Sequence, residues 1–321
     1  MQKTSVYLPA PLKAALAALA TQESRSEAVL IRAAIEGLVG AADSGITKGS
    51  QNAQRQTIAD RFGSGPLLIG IGVGPGDAEL LTVRALRTLR KVDRIFAPCT
   101  SIDAIGRAET IVRDAVPGAM IERLVFVMEV NTAARERAIE VAVERISSAL
   151  QAGERCAFIT LGDPNIYSTF SSVAEGLRRI RPDATIASIP GIMAFQELAA
   201  RTSTVIVDGN EQLHLVPLHA GMNGLGEVLD QGQALVLYKG GRHVPELCDA
   251  LRSADRLRGA MLGELLGMPG EQIVELSTLA GPSSCGARPQ PSSYLATVIV
   301  PPRRVTPVAT PAKSRRGKTT R

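Results

Sequence analysis

The sequence predicts an α/β protein: two domains with a cleft between them, preceded by a small β-α-α module. Three observations carry this. From Leu67 onward, short apolar strand patterns alternate with helical ones. Three of the strand patterns end in unusual turns, two of them rich in glycine. Residues 1–41 have a pattern of their own, separated from the rest by a polar stretch, residues 42–66. The resulting division is a 1–41 module, a 42–66 linker, domains over 67–190 and 191–301, and a basic tail over 302–321.

In the module, Thr4-Ser5-Val6-Tyr7-Leu8 alternates as a short strand does, and Pro9 closes it. Ala10 to Thr21 reads as a helix with Leu12, Leu16 and Leu19 on one face. Ser24 and Glu27 have capping-box spacing ahead of a second helix bearing Val29, Leu30, Ile31, Ala34, Ile35 and Leu38. So few residues bury too little surface to fold alone, so the module is expected to dimerise. The linker is rich in Ser, Gly, Gln and Asn and has no apolar period.

Leu67-Leu68-Ile69, with Ile71 and Val73, suits a buried parallel strand. Glycines follow at 70, 72, 74 and 76, then a helical pattern through Leu80, Leu81, Ala85, Leu86 and Leu89. Asp77 suits the cap of that helix, and Glu79 its first turn. The spacing is not the dinucleotide fingerprint, because Asp77 stands where its third glycine belongs, and no phosphate-binding G-x-x-x-x-G-K-[ST] occurs. The loop therefore suits a neutral or cationic ligand.

Strands are next predicted at 92–97, 124–128 and 156–161, with helices at 104–115 and 133–152 between them. Leu161 to Thr169 forms a second glycine-and-polar turn, in which Gly162 allows close backbone approach and Asp163 and Ser168 offer polar groups. The strand Thr185–Ile189 leads into a third turn, Pro190 to Phe195. Three strand ends with such turns make one convergent cleft. Beyond Glu197, strands are expected at 213–217, 234–239, 260–262, 272–274 and 294–300.

The bulk properties exclude several classes. Aromatic residues make up 3% of the chain and tryptophan is absent, which argues against a base-stacking platform. The formal net charge is +5 over 321 residues, but residues 302–321 carry seven bases and no acid, so the remainder is near −2. The body has no electrostatic case for nucleic acid. Four dispersed cysteines and three histidines give no metal-ligand spacing and no redox pair. No run has membrane-spanning length and the first residues lack a signal-peptide core, so a cytoplasmic protein is expected.

The motifs GVGPGD (Gly72–Asp77), LGDPNIYSTF (Leu161–Phe170) and PGIMAFQ (Pro190–Gln196), in this order, resemble the class III, tetrapyrrole-methylase type of S-adenosylmethionine-dependent methyltransferase. VDGNEQLHLVP (Val207–Pro217), LVLYKGGR (Leu235–Arg242), GMPGEQIVEL (Gly267–Leu276) and YLATVIV (Tyr294–Val300) extend the resemblance to Pro301. One departure is Phe126-Val127-Met128-Glu129, where that type carries a Phe-Pro-Met-Thr run.

The resemblance implies a two-domain tetrapyrrole-methylase fold, a homodimer, a tetrapyrrole substrate and S-adenosyl-L-methionine as methyl donor. It places the donor beside Pro75, Leu161, Gly162, Asp163, Ile166, Tyr167, Met193, Ala194 and Leu262. Ser168, Thr169, Lys239 and Arg242 are candidates for the substrate, the last two for its carboxylates. Asp77 is a candidate catalytic base for the proton lost from the methylated ring carbon, as well as a candidate helix cap. No resident metal is implied, and whether the ring carries cobalt stays open. The first 41 residues are similar to the ribbon-helix-helix family, whose strand residues read DNA. With four bases against three acids, they suit DNA binding or dimerisation alone. A rival reading is therefore a DNA-binding regulator with a methylase-like sensor body.

Overall fold

A computed structural model describes residues 10–22, 26–28, 30, 31, 65–126, 132–218, 221–279 and 295–304. The chain divides into two compact units, residues 1–61 and 62–321. In the first, α1 spans Ala10–Gln22, close to the predicted helix, and Thr21 Oγ1 donates to Ala17 O at 3.0 Å. Leu30 N donates to Ser26 O, opening a second helical turn. The expected strand Thr4–Leu8, the capping residue Ser24, linker residues 42–64 and tail residues 305–321 lie outside the described residues.

The second unit begins with a five-stranded sheet in the order β3-β2-β4-β1-β5, with every pairing parallel. The strands are β1 (Leu67–Gly72), β2 (Arg94–Cys99), β3 (Ile121–Val125), β4 (Arg155–Thr160) and β5 (Thr185–Ile189). Every residue of β1 is buried, as its unbroken apolar run requires of a strand covered on both faces.

Alternation sends Leu68, Phe96, Leu124 and Phe158 to one face, where they pack against α4 (Thr132–Gln151) and α5 (Thr169–Ile180). Phe158 meets Phe126 edge-on with ring centroids 6.1 Å apart. The intervening residues Ile69, Ile71, Ile95 and Ile159 are equally buried on the other face, and α3 (Arg107–Ala115) packs against β2 and β4.

The second sheet is mixed, in the order β6-β7-β10-β8-β9. Its strands are β6 (Leu213–Pro217), β7 (Ala234–Tyr238), β8 (Met261–Glu264), β9 (Gln272–Glu275) and β10 (Thr297–Val300). Among the described residues, the last strand along the chain is thus the middle one, antiparallel to both β7 and β8. One face holds a core with Leu225 and Leu229 of α7 (Leu225–Asp230) and Leu247 and Leu251 of α8 (Val244–Ser253). The other packs Val236 and Ile299 against Leu198 of α6 (Ala194–Arg201). A final short helix, α9, spans Leu276–Leu279.

Two local expectations are corrected. Asp77 does not cap a long helix. It caps a single 3-10 turn, Ala78–Leu80, by accepting from Glu79 N at 2.8 Å. The helix proper, α2, spans Val83–Leu89 and is capped by Thr82, whose hydroxyl accepts from Ala85 N. The strand expected at 124–128 lies at Ile121–Val125, because Glu122 and Arg123 are strand residues whose charges are paired. Arg123 Nε donates to the fully buried Glu109 at 2.7 Å, and Glu122 accepts from Arg94 and Arg145.

Candidate functional site

The three turns meet at the carboxyl end of the first sheet, backbone against backbone. Val73 N donates to Thr160 O and Gly162 N to Gly74 O, both at 2.9 Å, which ties the first turn to the second. A Cβ on Gly72 would strike the Gly162 carbonyl oxygen and lie 2.6 Å from Gly191 N. One on Gly191 would strike that same oxygen and lie 2.8 Å from Gly72 Cα. No real side chain tolerates such contacts, so only glycine lets these segments close up. Gly162 adds a left-handed φ of +63°.

Asp163 fastens the second turn to the third. Its carboxylate accepts from Asn165 N at 2.8 Å and from Gly191 N at 3.2 Å. It is a bracket beside the cavity and does not line it.

The cavity below these turns has a volume of about 210 Å³. Of the residues singled out in the sequence, it brings together Pro75, Leu161, Gly162, Ile166, Tyr167, Ser168, Thr169, Met193, Ala194 and Lys239. Four others do not line it. Asp77 is exposed on its 3-10 turn, and Arg242 is exposed in the turn after Lys239. Leu262 is buried in the core of the second sheet, so its end of β8 contributes Leu265 and Leu266 instead. Asp163 is the fourth. Sequence reasoning missed Thr160, Tyr238 and the start of β10, Ala296 and Thr297, which also line the cavity. Tyr238 had a readable signal in its place at a strand end beside Lys239.

Polar groups in the cavity are few and well held. Ser168 caps α5 by accepting from Phe170 N and donates its own hydrogen to Thr160 Oγ1 at 3.0 Å. Tyr167 donates its hydroxyl to Leu215 O at 2.8 Å, reaching from the first sheet to the edge strand of the second. Its ring meets Tyr238 edge-on, 5.9 Å between centroids. Burial pushes the Tyr238 phenol well up, so it stays protonated through the neutral range. Lys239 is half-buried and has no carboxylate partner among the described residues. Burial, with repulsion from Arg135, pulls its ammonium below the ordinary lysine value.

Among the described residues, five non-glycine residues adopt positive φ, and three line this cavity: Tyr167 (50°), Lys239 (58°) and Leu265 (50°). Such residues cost on the order of 1–3 kcal/mol each and gather where function holds them. Here a left-handed residue aims a large side chain into the space that the glycine turns leave open.

The chemistry of this wall differs from that of a phosphate cradle. Apolar side chains and crowded backbone dominate the wall, with hydroxyls at Thr160, Ser168, Thr169 and Tyr238. Lys239 is the one cationic side chain lining it. A cradle built for pyrophosphate would place basic groups or unshielded helix N–H groups at the glycine turn. Among the described residues, no group of three or more His, Cys, Asp or Glu is placed to hold a metal ion, and no helix is long and apolar enough to cross a membrane.

Comparison with known proteins finds a family match and several relatives. A model of the family Tetrapyrrole (Corrin/Porphyrin) Methylases matches residues 67–280. A probable cobalt-precorrin-2 C(20)-methyltransferase of Methanocaldococcus jannaschii is 34% identical over 53% of this chain and 70% of its own. A precorrin-2 C(20)-methyltransferase of Sinorhizobium is 26% identical over 73% of this chain and 94% of its own. Among solved structures, a cobalt precorrin-4 methyltransferase superposes with a TM-score of 0.55 at 17% identity, covering 73% of this chain and 94% of that one, a likeness of fold alone.

Proposed function

The chain belongs to the tetrapyrrole (corrin/porphyrin) methylase family, and we propose that it transfers a methyl group from S-adenosyl-L-methionine to carbon 20 of precorrin-2, giving precorrin-3A in cobalamin biosynthesis. The observation that carries the reading is the three-glycine junction of Gly72, Gly162 and Gly191 above a cavity that lacks phosphate-binding chemistry. The family narrows the reaction to ring methylation, and the two relatives named for carbon 20 narrow the position.

When bound, the donor supplies an electrophilic methyl group on a sulfonium. Pro75, Leu161, Gly162, Met193 and Ala194 hold it largely through backbone and apolar contact. Ser168 and Thr169 stand on the same wall, where the ring is to meet the methyl group. Lys239 presents a cation without a competing carboxylate to the acidic side groups of the ring. Burial and Arg135 lower its affinity for a proton, so its charge is lost earlier on raising pH than that of an ordinary lysine. Tyr238 remains a hydrogen-bond donor and is no base. The nucleophile is an electron-rich ring carbon, so the chain contributes orientation and exclusion of water, worth roughly 7–11 kcal/mol when geometry is well set. In this reading the protein is a homodimer, and residues 1–41 serve dimerisation or DNA contact apart from the chemistry.

The test is incubation with donor and either metal-free or cobalt-loaded precorrin-2, followed by mass measurement and NMR assignment of the new methyl carbon. A gain of one methyl at carbon 20 is expected, and the preferred arm identifies the substrate form. No gain with either ring defeats the proposal.

A further inference from the structure

The segment from Leu265 to Glu271 roofs the cavity with its first two residues, and Leu265 is held in a strained left-handed conformation. Leu265 and Leu266 line the cavity. Leu265, Gly267 and Gly270 are all left-handed, with φ of 50°, 69° and 87°. Two consecutive turns shape the segment: Met268 N donates to Leu265 O at 2.9 Å and Glu271 N to Met268 O at 3.1 Å.

The roof rests closely on the first glycine turn, with the Met268 side chain also against Gly76. A Cβ on Gly76 would strike Leu266 O, and one on Gly267 would lie 2.5 Å from Asp77 N. Leu266 is also buried in one core with Leu198 of α6, so apolar packing holds the roof at that end. The end from Gly267 to Glu271 has a separate, polar fastening.

Glu271 supplies it. One carboxylate oxygen accepts from Gly267 N at 2.7 Å, pinning the turn. The other accepts from Arg201 Nη2 at 2.6 Å, tying the turn to the last residue of α6. That helix begins at Ala194, beside Met193, and both residues line the cavity. Arg201 is itself steadied by Glu197, at 3.4 Å. The chain Gly267–Glu271–Arg201 thus joins the roof to the helix that carries the third turn, skirting the cavity.

We propose that the Arg201–Glu271 pair is the latch that holds the Leu265–Gly270 roof closed over the methyl donor, so that Glu271 and Arg201 are positioning residues for donor binding. The inference rests on the donor-site reading of the cavity. The Gly267 N–H and Arg201 keep the Glu271 carboxyl below its ordinary range, consistent with a latch charged at every physiological pH.

The test measures binding of S-adenosylhomocysteine by calorimetry to the full chain and to Glu271→Ala and Arg201→Met, alongside melting temperature and hydrogen exchange of the 262–272 segment. Glu271→Ala removes three charge-assisted bonds and is expected to weaken binding ~10-fold or more. Exchange in the segment should quicken, while kcat at saturating donor changes much less than the donor KM. Arg201→Met leaves the Glu271–Gly267 bond and should show a smaller effect of the same sign, which keeps the test intact if Glu271→Ala does not fold. Unchanged affinity in a folded variant, with only the melting temperature lowered, would make the pair merely structural and overturn the latch. If the unaltered chain binds no S-adenosylhomocysteine, the donor-site reading fails first, and the latch with it.

Discussion

Gly72 and Gly191, 119 positions apart in the chain, approach so closely that a Cβ on Gly191 would lie 2.8 Å from Gly72 Cα. Between them stands the carbonyl oxygen of Gly162. Gly72→Ala and Gly191→Ala should each force the turns apart. A loss of roughly 1–3 kcal/mol of stability is expected, as for overpacking, with at least a tenfold loss of donor affinity. Chemical denaturation and calorimetry with S-adenosylhomocysteine check the two halves separately.

Asp163 makes a different case, since its carboxylate fastens the cavity from outside. Asp163→Ala leaves Gly191 N without its acceptor, at a cost of about 1–3 kcal/mol. Asp163→Asn keeps an acceptor and should recover much of the loss. Equal damage from both variants would show that charge, and not the bracket, matters here.

Lys239 gives a pH prediction. Its pKa is lowered from 10.5 by burial and then by Arg135. The charge that meets the ring's carboxylates is therefore lost, on raising pH, earlier than for an ordinary lysine. The ring KM should rise with alkaline pH starting below 10.5, and that limb should vanish in Lys239→Met while the donor KM stays put. An identical alkaline limb in the variant would assign it to another group.

The opposite end of the first sheet should behave as structure only. Arg94 donates to both oxygens of Glu154 at 2.6 and 2.7 Å and to Glu122 at 2.7 Å, joining β2, β3 and the residue before β4. All three side chains are 21–29% exposed, so solvent weakens the network without abolishing it. Arg94→Met should lower the melting temperature by a few degrees, on the order of a 1 kcal/mol change. Neither donor nor ring KM should move in steady-state assays.

Deletion of residues 1–41 separates the enzyme from its rival reading. Methyl transfer should survive, because every cavity residue lies beyond Pro75 or at it. Duplex binding, if the full chain shows any in a shift assay, should be lost.

Much of this architecture was legible because punctuation and apolar runs agreed. Thr185–Ile189 and Leu213–Pro217 match their expected bounds to the residue. The strand at Ile121–Val125 was displaced by three positions in the reading, since Glu122 and Arg123 look like surface residues until their distant partners are known. Asp77 and Thr82 both have capping chemistry, and only tertiary packing decides that the helix starts after Thr82. In the site, the three turns stood out by their residue pattern, and the family resemblance supplied the individual donor-side residues. Leu265, Leu266 and Thr297 were not legible, because they enter from a second sheet whose register against the first has no local signature.

The place of β10 has a consequence for biosynthesis. Thr297–Val300 is made after every other described strand, yet it is hydrogen-bonded on both sides, to β7 and β8. Until it emerges, β8 and β9 can pair only with each other, and one wall of the cavity, Ala296 and Thr297, does not exist. The first sheet can mature during translation, whereas the ligand site can arise only after residue 300 clears the exit tunnel. A stalled or clipped product lacking these few residues would expose two unmatched strand edges, and quality control would meet it as an aggregation hazard.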